Sequence, residues 1–497
     1  MLLVINAEKN NIYISRQRYC GMNDLIGRRR ELNALNEWYS SDKFEFVVMY
    51  GRRRVGKTAI LEEFVKDKKH VFVTGMRTKG DMNIRLLREA VSDSLGIDTE
   101  KMDLLALLRT IGEHSSERIT FVIDELPYFA ESNDELLSAL QVFIDRKVQF
   151  SKLFLVLTGS SMNFMKRQVL GGESPLYGRR TREMFIRPMD YLEAAEFLEE
   201  RSVYEKACVY GAVGGVPLYL KKFSGKQNIF KIMAEEFFTN GFTLFTEPES
   251  LIMQELKDPR LYNATIEAMA AGKARLSEIS DHSGISTSDT SKYLADLIDL
   301  GYIEKVEPFN EKNGKRTLYF ISDNLFRFRY YVAMNKRKIL MSETVDDTAK
   351  NIEKDMPDYM GKVFENISAQ FVKRIGYPIT GKWWGAVGKK TGEIDVIGTY
   401  GSEGRRIGLL GECRFKNKYA DRTALEDLFE SADNVRGLDV KNYIIFSRSG
   451  FTDSLELGAE ANNVDLITLD DMYDPDIIAK MRAKHAPPRT DTKRDES

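Results

Sequence analysis

Cysteine is scarce in this chain: Cys20, Cys208 and Cys413 stand far apart in 497 residues and without metal-ligand spacing. That argues against a disulfide scaffold or a cysteine-based zinc site. Net charge is nearly absent too, with 73 Lys and Arg against 75 Asp and Glu, a balance of -2. No overall attraction to nucleic acid or anionic lipid follows, so any basic surface must be local. Uncharged apolar runs are short; none approaches the ~20 residues of a bilayer span. The opening MLLVINAEKNNIY has neither the basic start nor the long apolar stretch of a secretory signal. A soluble cytoplasmic protein with no membrane partner is the expectation.

What is present divides along the chain. The length exceeds what one core usually supports. After an N-terminal extension (1–22), residues 23–190 alternate short apolar runs with helical stretches, as a parallel α/β sheet requires. FEFVVMY, HVFVTG, ITFVID and LFLVLTG are apolar throughout, like strands covered on both faces. Residues 191–262 carry helical periodicity and read as a lid. Residues 263–335 show three helices, the last ended by Gly301, then two strands around an Asn-Gly turn, the pattern of a winged helix. A charged connector (336–360), a second α/β unit (361–480) and a polar tail (481–497) follow.

Residues 49–60 read MYGRRRVGKTAI, a strand end, a glycine, four residues, and Gly-Lys-Thr opening a helix. This is the spacing and the context of a loop that cradles phosphates. Gly51 and Gly56 let backbone N–H groups approach, Lys57 neutralises the β- and γ-oxygens, and the Thr58 hydroxyl ligates Mg²⁺. Arg52, Arg53, Arg54, Val55 and Ala59 complete the candidate ATP-binding segment; the three arginines either balance phosphate charge or pack against glutamates. ITFVIDELPYF supplies Asp124 at a strand end, placed to hold Mg²⁺, and Glu125 beside it, placed to orient and deprotonate water. Without a phosphate loop upstream, such a pair would read as a solvated strand end.

GRRRVGKT, FVIDELPYF, LVLTGSSM, SPLYGRRT and the preceding IGRRREL together resemble an archaeal and bacterial family of AAA-related, STAND-like ATPases. The resemblance implies that Ile26, Gly27 and Arg28 line the adenine pocket. It also implies that Thr158 or Ser160 is a polar sensor, and that Gly215 and Pro217 of GGVPLYL sit near the base. Arg179 and Arg180 in YGRR are candidates for an arginine finger, or else a salt-bridged surface pair.

The charges of the winged-helix region oppose simple DNA binding. Between residues 263 and 323 stand seven Lys or Arg and ten Asp or Glu, and the third helix, STSDTSKYLADLIDL, has three aspartates and one lysine. Phosphate approach needs the reverse balance, so packing or relay is the expected role. FRFRYYVAMNKRKIL adds five positive charges among aromatics: a nucleic-acid patch, or a half-buried helix with solvated ends.

Residues 361–480 resemble the C-terminal domain fused to this ATPase family, which is similar to restriction-endonuclease-like folds. Such folds align carboxylates on two neighbouring strands to bind Mg²⁺, with a helix glutamate nearby. Strand alternation puts Glu393 and Asp395 on one face and Glu412, Arg414 and Lys416 on one face of the next strand; Glu365 supplies the helix carboxylate. The departure is Arg414, where lysine is expected, since arginine does not deprotonate. Lys416, about 7 Å further along, stands in, and a hairpin with paired surface charges remains the plain alternative. The function expected is a Mg²⁺-dependent ATP switch or motor coupled to a winged helix and a nuclease-like module acting on nucleic acid or another macromolecule. The alternative is a regulatory scaffold in which ATP controls self-association through the ATPase domain and the nuclease-like domain is silent.

Overall fold

The computed structural model describes residues 25–256, 258–311, 314, 316–335, 344–401 and 406–486. The expected extension at 1–22, part of the connector (336–343) and most of the tail (487–497) lie outside the described residues.

Strands β1 (Glu45–Tyr50), β2 (His70–Thr74), β3 (Ile119–Asp124), β4 (Leu153–Gly159) and β5 (Arg182–Phe185) form one parallel sheet in the order β2-β3-β4-β1-β5. Four of them are the uninterrupted apolar runs. The fifth, Arg-Glu-Met-Phe, lacks that signal because it is an edge strand with three exposed residues. The phosphate loop leaves β1 and enters helix α1 (Lys57–Val65), while β3 lies two strands away across β4. The carboxyl ends of β1, β4 and β3 therefore converge.

Helices α2 (Leu126–Ser132), α3 (Val203–Val213), α4 (Ile229–Phe238) and α5 (Thr243–Glu255) follow in chain order, the last three building the lid. Helices α6 (Pro259–Ala270), α7 (Leu276–Ser283) and α8 (Thr287–Asp299), with the antiparallel pair β6 (Ile303–Val306) and β7 (Leu318–Ile321), form the winged helix. Of its expected Asn-Gly turn, residue 313 lies outside the described residues. Helix α9 (Asn324–Asn335) then leads to α10 (Val345–Arg374) and a second sheet, β8 (Ile379–Val387), β9 (Lys390–Tyr400), β10 (Ile407–Arg414), β11 (Asp439–Ser447) and β12 (Val464–Thr468), in the order β12-β11-β10-β9-β8. Its first three strands are antiparallel and the last three parallel. Helix α11 (Thr423–Ala432) covers it, and α12 (Pro475–His485) runs past the boundary expected at 480.

The boundary expected at 361 is crossed by α10, which spans thirty residues through Pro357 and Gly361. Proline there forfeits one helix hydrogen bond. Burial of Met356, Tyr359, Met360, Val363 and Phe364 offsets that loss, and Tyr359 donates to the carbonyl of Gly211 in α3 at 2.7 Å. Lid, winged helix and second sheet share one continuous apolar core through this helix.

Of the two readings of 326–340, the described residues follow the half-buried helix. Phe326, Phe328 and Tyr330 are buried, Arg327 donates to the carbonyl of Ile321, and Arg329 lies over Phe238 and Phe245. These two cations are thus turned into the protein, because α9 packs along α3 and carries aromatics on its buried side; residues 336–340 lie outside the described residues. Gly215 is held by close approach: a Cβ there would stand 1.8 Å from the carbonyl oxygen of Met189. Gly215→Ala is expected to lower stability by roughly 1–3 kcal/mol, read by denaturant titration. Gly172→Ala, which meets nothing within 4 Å, should leave the transition unchanged.

Candidate nucleotide site and carboxylate cluster

The phosphate loop is shaped for an anion. Gly56 caps α1 in the left-handed region, φ 97°, a conformation that glycine adopts freely. A Cβ on Gly51 would strike the backbone oxygen of Ile186 at 2.3 Å. Lys57 is buried, and its Nζ donates to the loop carbonyls of Gly51 at 2.9 Å and Arg52 at 3.0 Å. Burial holds its pKa below the ordinary value, against the pull of Glu125 and Asp124. The Thr58 hydroxyl donates to Asp124 Oδ2 at 2.8 Å, while Asp124 Oδ1 is buried without a partner. Burial, with the Glu125 charge adding to it, pushes Asp124 up to about 6. The Thr58 hydroxyl and the Asp124 carboxylate, one of whose oxygens is buried and orphaned, fit a hydrated Mg²⁺.

Glu125 adopts φ 49°, ψ 48° at the start of α2, a left-handed conformation that carries strain outside glycine. Its Oε2 accepts from the Ser160 hydroxyl at 2.7 Å and the Ser160 N–H at 3.2 Å. Ser160 therefore holds the candidate base, while Thr158 is fully buried on β4 beside Met49 with its hydroxyl unpartnered.

The segments expected around the base come together. Gly27 and Gly215 both lie against Met189, and Pro217 stands near Gly56. Ile26 is half-buried against the lid core. Arg28 behaves differently from an adenine-lining residue. It is 2% exposed, and Nη2 donates to the carbonyls of Val55 and Arg187, both at 2.7 Å. It braces the loop from beneath. Arg179 and Arg180 also depart from expectation. Arg179 makes a bidentate pair with Asp145 at 2.7 Å for each bond, and Arg180 pairs with Glu183 at 3.0 Å. Neighbouring Thr181 bonds to Phe46 at the start of β1, so both arginines sit at the end of the sheet away from the loop. They do not reach its phosphate site within one chain.

The loop arginines reach outward instead. Arg52 bonds to Asp323 at 2.6 Å and lies over the Tyr302 ring. Arg53 contacts Tyr128 and lies 3.9 Å from Glu255, and Arg54 pairs with Glu247. The glutamates belong to α5, and Asp323 and Tyr302 to the winged helix. These partners were not legible in the sequence, since 193 to 271 residues separate them from the loop. The space left among Arg52, Arg53, Ser160, Leu251, Glu255 and Tyr302 is about 10 Å³, room for about one water. Burial pushes Glu255 up to about 7, against the pull of Arg53.

In the second sheet, Glu365, Asp395 and Glu412 are all less than a tenth exposed. Asp395 Oδ2 accepts from the Cys413 N–H at 2.9 Å, and Glu412 Oε2 is buried without a partner. Burial, with Glu365 adding, pushes Asp395 up to about 7; burial, with Asp395 adding, pushes Glu412 up to about 8. Burial would raise Glu365 as well, but Lys382 and Lys362 outweigh it and hold it below the ordinary range. Arg414 pairs with Glu412 and with Asp427, the latter at 2.6 Å. The stand-in role of Lys416 is a correction: β10 ends at Arg414, so strand alternation stops and Lys416 is exposed in the following loop. The neutralising cations are Lys362, Lys382 and Arg414. Lys362 was legible three residues before Glu365 on one helix; Lys382 required the sheet. Among the described residues no three His, Cys, Asp or Glu side chains stand ready-made to hold a metal ion. Asp395 and Glu412, with the orphaned Glu412 oxygen, fit one as a pair.

Two outcomes follow. Asp323→Asn keeps a cap acceptor for α9 but leaves the Arg52 charge uncompensated beside the loop; nucleotide should bind roughly three- to tenfold tighter, while stability falls by about 3 kcal/mol. A fluorescent-nucleotide titration and a denaturant melt check both, and weaker binding would mean that the pair holds the loop in its binding form. Asp124, Glu255, Asp395 and Glu412 all have pKa values raised by folding. The folded chain therefore binds more protons than the unfolded one, and stability should fall as pH rises from about 4.5 through 8. Thermal melts without divalent cation should show that fall, and Mn²⁺ should oppose it increasingly as pH rises. Asp395→Asn or Glu412→Gln should abolish the Mn²⁺ effect of the second sheet.

Comparison with known proteins agrees with this geometry. Residues 25–223 match an ATPase domain predominantly from Archaea, residues 266–307 the IclR helix-turn-helix domain, and residues 328–425 a family of archaeal and bacterial proteins of unknown function. Uncharacterized protein MJECL04 of Methanocaldococcus jannaschii is 31% identical over 382 residues, covering 75% of this chain and 83% of that protein. Among solved structures, the Walker-type ATPase PABY2304 of Pyrococcus abyssi superposes with a TM-score of 0.45 at 22% identity, over 62% of this chain and 96% of its own. The ORC2 protein of Aeropyrum pernix, in ADPNP and ADP complexes, gives 0.42 at 14% identity over 68% and 96%. No described helix is long and apolar enough to cross a membrane. With its phosphate loop, strand carboxylate and parallel sheet in place, and a relative of this extent, the chain belongs to a family of P-loop ATPases found predominantly in Archaea.

Proposed function

We propose that the protein is a Mg²⁺-dependent ATP switch whose nucleotide state moves the lid and winged helix against the ATPase core, and so governs a nuclease-like second sheet acting on nucleic acid. The observation that carries the reading is the pairing of each loop arginine with a carboxylate outside the core. Triphosphate entering the loop competes with those carboxylates for the same cations. Lys57 would exchange its loop carbonyls for β- and γ-oxygens. Thr58 and Asp124 would hold Mg²⁺, which would neutralise charge developing between those phosphates. Glu125, braced by Ser160, would orient a water and take its proton. Thr158 is retained as the second candidate sensor on its buried, unpartnered hydroxyl. Arg179 and Arg180 would reach a phosphate site only in another copy of the chain, on leaving Asp145 and Glu183.

For the second sheet, Asp395 and Glu412 would hold Mg²⁺, with Glu365 beside them and Lys362 and Lys382 in contact with it. The restriction-endonuclease-like reading rests on this set and on the helix-strand order. A silent scaffold is favoured by one observation, the pairing of Arg414 with Glu412, which supplies neutralisation without metal.

The decisive measurement is ATP turnover by the full chain with and without DNA or RNA, for wild type, Lys57→Ala and Glu125→Gln. Lys57→Ala should bind nucleotide weakly; Glu125→Gln should bind it and lose turnover by roughly 10²–10⁴-fold. Equal turnover by wild type and Glu125→Gln would remove Glu125 from the role of base. Self-association driven by ATP with no nucleic-acid binding would favour the scaffold.

A further inference from the structure

A cleft of about 850 Å³ separates the winged helix from the second sheet. One wall is the wing, β6 and β7 with the turn at Gly272 to Ala274; the other is α10 with β8 and β9. Glu365, Glu393 and Asp395 lie along it, so it leads directly to the carboxylate cluster. Glu393 faces Trp384 across the β8–β9 pair.

We infer that this cleft holds a single-stranded polynucleotide segment and presents its phosphodiester backbone to the carboxylates. The inference rests on the nuclease-like reading of the second sheet. Its own support is the chemistry of the walls. Lys273, Lys305 and Lys373 line the cleft. Lys305 is paired with Glu307 at 2.8 Å, whereas Lys273 and Lys373 enter no ion pair among the described residues. Half-exposed Trp384 and Tyr319 line the same space. Cations that meet phosphates and aromatic faces that take bases are the two parts of a sequence-tolerant single-strand site. An acidic peptide would meet the same lysines but has no planar bases to stack on the rings of Trp384 and Tyr319.

A cleft of this volume, within the small-ligand range of roughly 300–1,000 Å³, suits a few nucleotides of one strand. Charge argues against the helix that would read a duplex: α8 carries Asp289, Asp296 and Asp299, and its one lysine, Lys292, pairs with Asp289 at 2.9 Å. The wing is the part of this module that faces a polyanion-sized space.

The test uses the full chain in EDTA, so that binding is read without cleavage, with labelled oligo-dT and oligo-U of about 20 nucleotides and a duplex of the same length. Both single strands should bind more tightly than the duplex. Trp384→Ala should weaken single-strand binding roughly tenfold. Lys273→Ala and Lys373→Ala should each flatten the dependence of log K on log salt by about 0.7. Thermal melts confirm that each variant is folded, and the two lysine variants, on half-exposed and exposed side chains, keep the test open if Trp384→Ala is not. Duplex binding as tight as single-strand binding, displacement by poly-glutamate at equal charge, or affinity unchanged in all three variants would overturn the inference. A parallel incubation with Mn²⁺ separates it from its premise. Strand binding that depends on the cleft, without cleavage, sinks the nuclease reading alone; cleavage indifferent to Trp384, Lys273 and Lys373 sinks the cleft alone.

Discussion

Three guanidinium groups in one phosphate loop repel one another and would repel Lys57 beside them. The structure depends on how that charge is met. Arg52, Arg53 and Arg54 each face a carboxylate from outside the ATPase core: Asp323, Glu255 and Glu247. Asp323 and Glu247 are nearly buried, so neither carboxylate is well served by water. Removing one partner of such a pair leaves an uncompensated charge, which costs far more than the pair contributes. The lid and winged helix are therefore tied to the loop by electrostatics as well as by packing, and the same cations are those a triphosphate would seek.

The tie extends further because the lid does not end at the winged helix. Helix α10 buries one face against α3 and α4 of the lid and another against the second sheet, within one apolar core. A rotation of the lid relative to the sheet would have to break the Tyr359 bond to Gly211 and the Arg374 bond to Asp190, 3.0 Å at Nε. Lid, winged helix and second sheet share one apolar core, and the ATPase sheet has a separate one. Such a division suits a switch: the interface between the two bodies is rich in ion pairs, which a charged ligand can rearrange at smaller cost than a packed apolar surface.

The second sheet brings carboxylates together and then opposes them with cations. Glu365 is held by two lysines, Glu412 by Arg414, and Asp395 lies between with one backbone N–H donor. Burial without full neutralisation leaves Asp395 and Glu412 with pKa values near neutrality, where a divalent cation and protons compete for the same oxygens.

The sequence by itself determined the parts whose signals are local. Glycine and lysine spacing located the loop between Gly51 and Thr58, uninterrupted apolar runs located four strands of the first sheet, and an apolar run ending in a carboxylate located Asp124 and Glu125. Only the tertiary structure decided what the loop arginines, Arg28, Arg179 and Arg180 touch, since a guanidinium bonds to any oxygen that folding brings within reach. It also decided that the charged stretch from Val345 continues as α10 through Pro357. Helix breaking is a local penalty of about 3 kcal/mol, and the apolar contacts that outweigh it come from residues more than a hundred positions away.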